Sequence, residues 1–228
     1  MRRRTKLAWA LGGGVAAYAA TLRPWHLRWG ATGAELTQSW PGDDLIPEPR
    51  RDVTHAMTIA APAAIVWAFI VQIGQDRAGY YSYSWLENLF RADIHNMDHI
   101  VPEYQKRVVG DTVWMARKDR YGGKGRMVVA HLEPCKSMVL IDPESWDVLQ
   151  RGKTAAKGLW AFHLRKTDKS TTRLVIRGRT GQRSRGADLM DYFFWEPAHF
   201  VMERKMMLTV RALAEREAQG QSEERQSR

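Results

Sequence analysis

The chain has 228 residues, 44% of them apolar, with 35 Lys and Arg against 25 Asp and Glu for a net charge of +10. That length buries one core well and leaves two cramped. The positive excess calls for an anionic neighbour, but it is scattered or terminal, with no zinc-finger spacing, basic heptad or aromatic ribonucleoprotein-type motif; membrane phosphate is therefore the expected partner and nucleic acid is not.

Residues 1–29 read as a basic and apolar segment. Arg2, Arg3, Arg4 and Lys6 precede residues 7–22, LAWALGGGVAAYAATL, which carry no charge. A comfortable membrane span needs roughly 20 residues, and Gly12, Gly13 and Gly14 weaken this one as a helix. A cleaved signal peptide competes, with Ala17-Tyr18-Ala19 as its cleavage site, and a third reading is a buried N-terminal helix. Trp25 and Trp29, interleaved with Arg23, His26 and Arg28, look like an interfacial belt and favour a retained anchor. The expected topology is single-pass, with a cytoplasmic N-terminus and the domain outside; the alternative is secretion after cleavage. Pro41, Gly42, Pro47 and Pro49 mark residues 30–51 as a linker, 52–218 form the domain, and 219–228 are a polar tail.

The domain opens on an alternating strand that puts Val53, His55, Met57 and Ile59 on one face. Pro62 then starts a short helix over residues 63–72 with Trp67 as its core residue. Tyr80, Tyr81, Tyr83 and Trp85 are too dense for all to be core, so some of their polar atoms are expected at a cavity or its rim; the alternative is a packed two-helix corner. A second short helix falls at 84–90. Further strands are read at 112–116, 126–132, 137–141, 159–164 and 172–180, with residues 145–157 as a polar loop. About seven strands in a meander make an antiparallel sheet in an α+β fold. The last long helix, residues 188–217, is read with Trp195, Ala198, Met202, Met206, Val210 and Leu213 on its buried face and Glu203, Arg204 and Lys205 mostly on the other. Pro197 starts or kinks it. His199 breaks the apolar stripe, either as a core histidine or as a cavity wall.

Ile59-Ala60-Ala61-Pro62-Ala63-Ala64-Ile65-Val66-Trp67, VQIGQDRAGYYSYSWLENL from Val71, Val109-Gly110-Asp111, and Glu196-Pro197-Ala198-His199-Phe200-Val201-Met202-Glu203-Arg204-Lys205 resemble the SRPBCC superfamily, the group of START lipid-transfer domains, birch-pollen-type allergens and polyketide cyclases. Within it the chain looks like an uncharacterised branch whose members often carry an N-terminal hydrophobic segment. The resemblance spans residues 51–217. It implies the helix-grip fold, in which a curved sheet clasps the C-terminal helix around an apolar cavity. Neither a common catalytic set nor a common cofactor accompanies the fold, so no residue role is carried over and no cofactor is expected.

His95 and His99, four apart beside Asp93 and Asp98, are half a metal site, but the metalloprotease Glu is missing and Pro102 disfavours a helix, so no metal is expected. His55, His131, His163 and His199 are a second set that could exchange protons with a pocket ligand. Cys135, the single cysteine, has no evident base, and no nucleophile elbow or phosphate loop is present.

Three readings follow. In the first, a membrane-tethered module binds an apolar or amphipathic small molecule or lipid, with Tyr80, Tyr81, Tyr83, Trp85, His55, Trp195, His199, Met202 and Met206 lining the cavity. The second is a cyclase, aromatase or dehydratase-type enzyme using His199, Glu196 or Tyr83, which predicts a hydrogen-bonded acid–base pair. In the third, the core is filled and the protein is a scaffold. No residue pattern sets an oligomeric state.

Overall fold

The computed structural model describes residues 17–89, 91–119, 121–153, 156–181 and 190–227. Strand β1 (Arg51–Ile59) pairs along its whole length with β6 (Thr172–Thr180). β5 (Gly158–Lys166), β4 (Ser137–Ile141), β3 (Arg126–Glu133) and β2 (Thr112–Trp114) complete a sheet of order β1-β6-β5-β4-β3-β2 in which every pair is antiparallel. Among the described residues the sheet thus has six strands where about seven were expected. A register shift between Val129 and His131 marks a bulge beside the short edge strand, a device that bends the ladder and ends pairing.

Helix α1 (Arg23–Leu27) and α2 (Gly33–Thr37) precede β1, and α3 (Ala63–Val71) and α4 (Ser84–Leu89) follow it as the two expected short helices. Helix α5 (Pro143–Gln150) lies between β4 and β5. The chain closes with a π-helical turn, Asp191–Trp195, running into the 31-residue helix α6 (Glu196–Gln226) with Pro197 in its first turn. A sheet with a long C-terminal helix on one face and two short helices after the first strand is the helix-grip arrangement.

Alternation decides which side chains meet α6. Met57, Ile59, Met138, Leu140, Trp160, Phe162, Leu164, Leu174 and Ile176 face it and share one core with Met206, Met207, Val210, Leu213 and Ala214 of the helix. On α6 the buried residues are Glu196, Phe200, Glu203, Met206, Met207, Val210, Leu213 and Ala214. The first half of the buried stripe therefore runs through 196, 200, 203 and 207, rotated by about one residue from the expected 195, 198 and 202, and Trp195 is half exposed. The rotation follows from the partners: Trp160 and His55 on the sheet offer polar atoms that Glu203 can use, as described below.

The opposite face of the sheet is covered too, so residues 30–51 are not a free linker. Leu45 and Ile46 pack on Val139, Ile141, Leu159 and Ala161, joined by Trp146 and Leu149 of α5. Arg177, only 2% exposed, is satisfied there by Asp43 (2.6 Å), Thr54 (2.7 Å) and Asp52 (3.0 Å). The approach is tight at Gly30, whose φ is +72° and where a Cβ would stand 2.0 Å from the Ala56 carbonyl oxygen. A sheet apolar on both faces must bury both, and the all-buried strand β4 has that character. The region expected as a polar loop forms α5 because Asp142 caps it, accepting from the Ser145 amide at 2.9 Å, with Pro143 in its first turn.

Residues 7–16 of the expected anchor lie outside the described residues. From Tyr18 the chain forms a π-helical turn to Leu22 and continues directly into α1. Among the described residues no helix is long and apolar enough to cross a membrane.

The outer layer yields a pH prediction. His163 is buried, stacked on Trp40 at 4.9 Å with its Nδ1 3.0 Å from the Ser137 hydroxyl, and burial, reinforced by Arg177 and His131, depresses its pKa from 6.5 to about 3. The unfolded chain takes up this proton near pH 6.5 and the folded chain refuses it. The stabilising effect is therefore complete above that pH and is lost on acidification towards pH 3, with a limiting slope of about 1.4 kcal/mol per pH unit. Urea unfolding at pH 7 and pH 5 should show this loss in the wild type and a smaller one in His163→Gln; equal losses would remove His163 as the cause.

Candidate functional site

Four elements converge at the head of α6. Two turns into the helix, Glu203 points between β1 and β5 and is 4% exposed. Its Oε1 lies 2.5 Å from His55 Nδ1 on β1, and its Oε2 accepts from Trp160 Nε1 on β5 at 2.7 Å. The second nitrogen of His55, Nε2, is 2.6 Å from the backbone oxygen of His26 at the end of α1. His199, one turn earlier on α6 and half exposed, brings its Nε2 to 3.9 Å from Glu203 Oε2.

The protons can be placed by elimination. A carbonyl oxygen only accepts, so His55 Nε2 carries a hydrogen directed at His26. His55 Nδ1 then faces the carboxylate, and one proton lies between them. Burial alone would push the Glu203 carboxyl up, but the adjacent His55, with help from His199 and Trp160, outweighs it and holds Glu203 below its ordinary value. Glu203 is thus held as a carboxylate against the His55 ring, a buried, hydrogen-bonded pair with one proton between the two groups.

His26 yields to the same logic. It is 4% exposed, and burial lowers its pKa, so the ring is neutral at pH 7. Tyr18 donates its single hydroxyl proton to the backbone oxygen of Tyr192 at 3.1 Å, so His26 Nε2, 3.1 Å from that hydroxyl, must be the donor to it. His26 Nδ1 is left as a bare acceptor, buried and without a partner among the described residues. His26, His55, His199, Glu196, Arg51 and Phe200 wall an adjoining cavity of about 10 Å³, room for a single water or hydroxyl group. Glu196 is held by Arg23 through two hydrogen bonds of 2.8 and 3.1 Å.

Of the residues singled out from the sequence, His55, His199 and Glu196 come together here. Tyr80 and Tyr81 are core residues instead. The Tyr80 hydroxyl donates to the Trp114 carbonyl at 2.8 Å and that of Tyr81 accepts from Gln72 at 2.7 Å, while both backbone amides bond to Asn96 Oδ1. The Tyr80 ring stands 6.1 Å from that of Trp160. Tyr83 is half buried beneath Lys205, and Trp85 is 68% exposed. Met202 is half buried with its carbonyl accepting from Ser82, and Met206 lies in the core. The middle of the grip, expected as an apolar cavity, is occupied by Met206, Met207 and Val210 against Trp160, Phe162 and Ile176.

His131 is half buried on β3. His95 and His99 are exposed and pair with their neighbours Asp93 and Asp98. Among the described residues no cluster of three His, Cys, Asp or Glu could hold a metal ion.

Element order and strand topology are those of a helix-grip fold. No protein family matches the chain by sequence, and no curated protein does. Among solved structures it is similar to the Aha1 dimer from Colwellia psychrerythraea (16% identity over 72% of this chain and 96% of that one, TM-score 0.39). Protein NE0264 from Nitrosomonas europaea (12%, 73% and 95%, TM-score 0.40) and the Polyketide_cyc-like protein Cgl2372 from Corynebacterium glutamicum (15%, 72% and 88%, TM-score 0.33) are also similar. The likeness is one of chain path and carries nothing about ligand or activity.

Removing one partner of a buried ion pair strands the other charge, which costs about 3–5 kcal/mol, whereas replacing both by apolar groups is often neutral. Glu203→Leu should therefore destabilise by that order in urea unfolding, and the double variant His55→Leu/Glu203→Leu should recover much of the loss. A double variant no better than the single one would contradict the ion-pair assignment.

Proposed function

We propose that the protein is a membrane-tethered binding module, held through residues 7–22, that takes an apolar or amphipathic small molecule or lipid between sheet and helix and fixes its polar end at the head of α6. The observation that carries this is the open His26 Nδ1 acceptor next to the His55–Glu203 pair, in a polar cavity of about 10 Å³. A core needs no such cluster: each buried charge costs several kcal/mol to desolvate, and strongly perturbed groups gather where ligands are handled. The cavity suits a hydroxyl that donates to His26. An apolar tail would follow α6 by displacing Met206 and Met207, whose unbranched thioether chains re-pack readily, and its burial contributes roughly 25 cal/mol per Å².

A second reading, the acid–base enzyme of cyclase or dehydratase type, draws on the hydrogen-bonded His55–Glu203 pair itself. His199, within 3.9 Å of Glu203 and half exposed, offers a proton path to solvent. The scaffold reading draws on the filled middle of the grip.

Native mass spectrometry on the full chain released gently from membranes separates the three. The binding reading expects a hydroxyl-bearing hydrophobic molecule to co-purify with the wild type and to be lost from His26→Phe, which removes the acceptor and fills the space. The same molecule returned chemically altered after incubation with the protein favours the enzyme. A chain that is empty in every preparation, with no thermal shift against hydroxylated lipids, ends both in favour of the scaffold.

A further inference from the structure

Six of the eleven large apolar side chains that stand exposed among the described residues lie on two short stretches, Leu22 and Trp25 on one and Met190, Phe193, Phe194 and Trp195 on the other, each 46–59% exposed. The stretches are far apart in sequence but bound together. Tyr18 stacks on Phe193 with centroids 6.0 Å apart and meets Tyr192 edge-on at 5.5 Å; Trp25 packs edge-on against Phe200 at 5.3 Å. The side chains of Arg23 and Glu196 tie the two stretches and neutralise each other, Asp191 adding one further carboxyl to the second stretch, and the Arg23 guanidinium also lies 4.6 Å from the centre of the Tyr192 ring. A cation borders the patch: Arg204 lies over the Trp29 ring at 5.2 Å, and Trp29 meets Phe200, the partner of Trp25, at 6.2 Å.

From this juxtaposition we infer that the folded domain itself docks on an anionic lipid bilayer through the aromatic face made by residues 22–25 and 190–195, independently of the N-terminal segment's own insertion. Three observations select a bilayer over other occupants. The face is aromatic with a basic margin, the composition that settles at headgroup depth, where ring bodies are buried and polar tips stay wet. The chain carries a net charge of +10, which favours anionic lipid. The sixteen residues before Ala17, four basic positions followed by an apolar run, end beside this face, so any insertion of that run delivers the face to the membrane surface. Docked this way, the water-sized cavity next to Glu196 and Phe200 lies at the bilayer edge, and an amphipathic ligand reaches it without crossing water. The inference extends the tether of the preceding section but does not need the cavity to be occupied.

The test uses the full chain with Cys135→Ser and a single new cysteine, Phe194→Cys, labelled with an environment-sensitive fluorophore, and a control labelled at Val108→Cys, an exposed apolar position outside the face. Vesicles are equal parts phosphatidylcholine and phosphatidylglycerol, with or without nitroxide lipids. Docking predicts that the label at 194 shifts to the blue and is quenched by nitroxide lipid while the label at 108 does neither. Protein that floats with vesicles while the label at 194 stays aqueous overturns docking and leaves the tether standing; protein that does not float overturns both. A blue-shifted label without vesicles also overturns docking, and a mass measurement then assigns the cover to a second copy or to the chain's own N-terminal residues. Because labelling could disturb folding, a second label at Trp195→Cys and a wild-type thermal midpoint are required of each variant, and disagreement between 194 and 195 counts against the face.

Discussion

The structure depends on a carboxylate placed where an apolar side chain would otherwise belong. Glu203 occupies the stripe of α6 that faces the sheet, and a buried carboxylate is tolerated only when its lone pairs are met. They are met from two strands, by His55 of β1 and Trp160 of β5, and His55 passes the restraint on to the backbone of His26 in α1. One side chain thus fixes the rotation of the long helix and its contact with β1 and β5. It also fixes the docking of a segment that precedes the domain by sequence. The rest of the grip, with Met206, Met207 and Val210 meeting Phe162 and Ile176, supplies burial energy but little direction, since thioether and aliphatic groups accept several packings.

That restraint explains why the N-terminal stretch belongs to the fold. Residues 17–29 lie along the head of α6, joined by the Arg23–Glu196 pair and the Tyr18 hydrogen bond to Tyr192, and residues 30–50 then cross to the outer face of the sheet. The two layers leave both faces of the sheet covered. The polar cluster becomes an interior feature walled by three parts of the chain. Access to it therefore involves the contact between the N-terminal stretch and α6, the same place where the exposed aromatic rings gather.

Much of the fold was legible in the sequence. Strict alternation in Val53 to Ile59, the proline at the head of α3 and the turn residues between strands each had one physical meaning, and the resemblance supplied the grip. Composition misled for residues 30–51, because Pro and Gly that read as a linker are also what a chain needs to bend closely over a sheet, as at Gly30 and Gly42. The polar stretch after Asp142 concealed α5, although Asp-Pro with a serine three residues on from the aspartate is a cap in its own right. The site was half legible. His55 and His199 stood out, but Glu203 read as a solvent residue among Arg204 and Lys205. The available signal was the spacing 196, 200, 203, 207, 210, 214, a four-three repeat in which two of the six positions are carboxylates. His26 and Trp160 gave no signal, because their roles come from a backbone carbonyl and a cross-strand position that only the folded chain brings together.

The charge state of the His55–Glu203 pair decides how the head of α6 is held. The ¹⁵N chemical shifts of the His55 ring, read at neutral pH in full-length protein with His55→Gln as the assignment control, measure it directly. Two protonated nitrogens, the imidazolium pattern, are the predicted result. One protonated and one bare nitrogen, the neutral ring beside a protonated Glu203, would contradict it and reduce the cluster to an ordinary buried hydrogen bond.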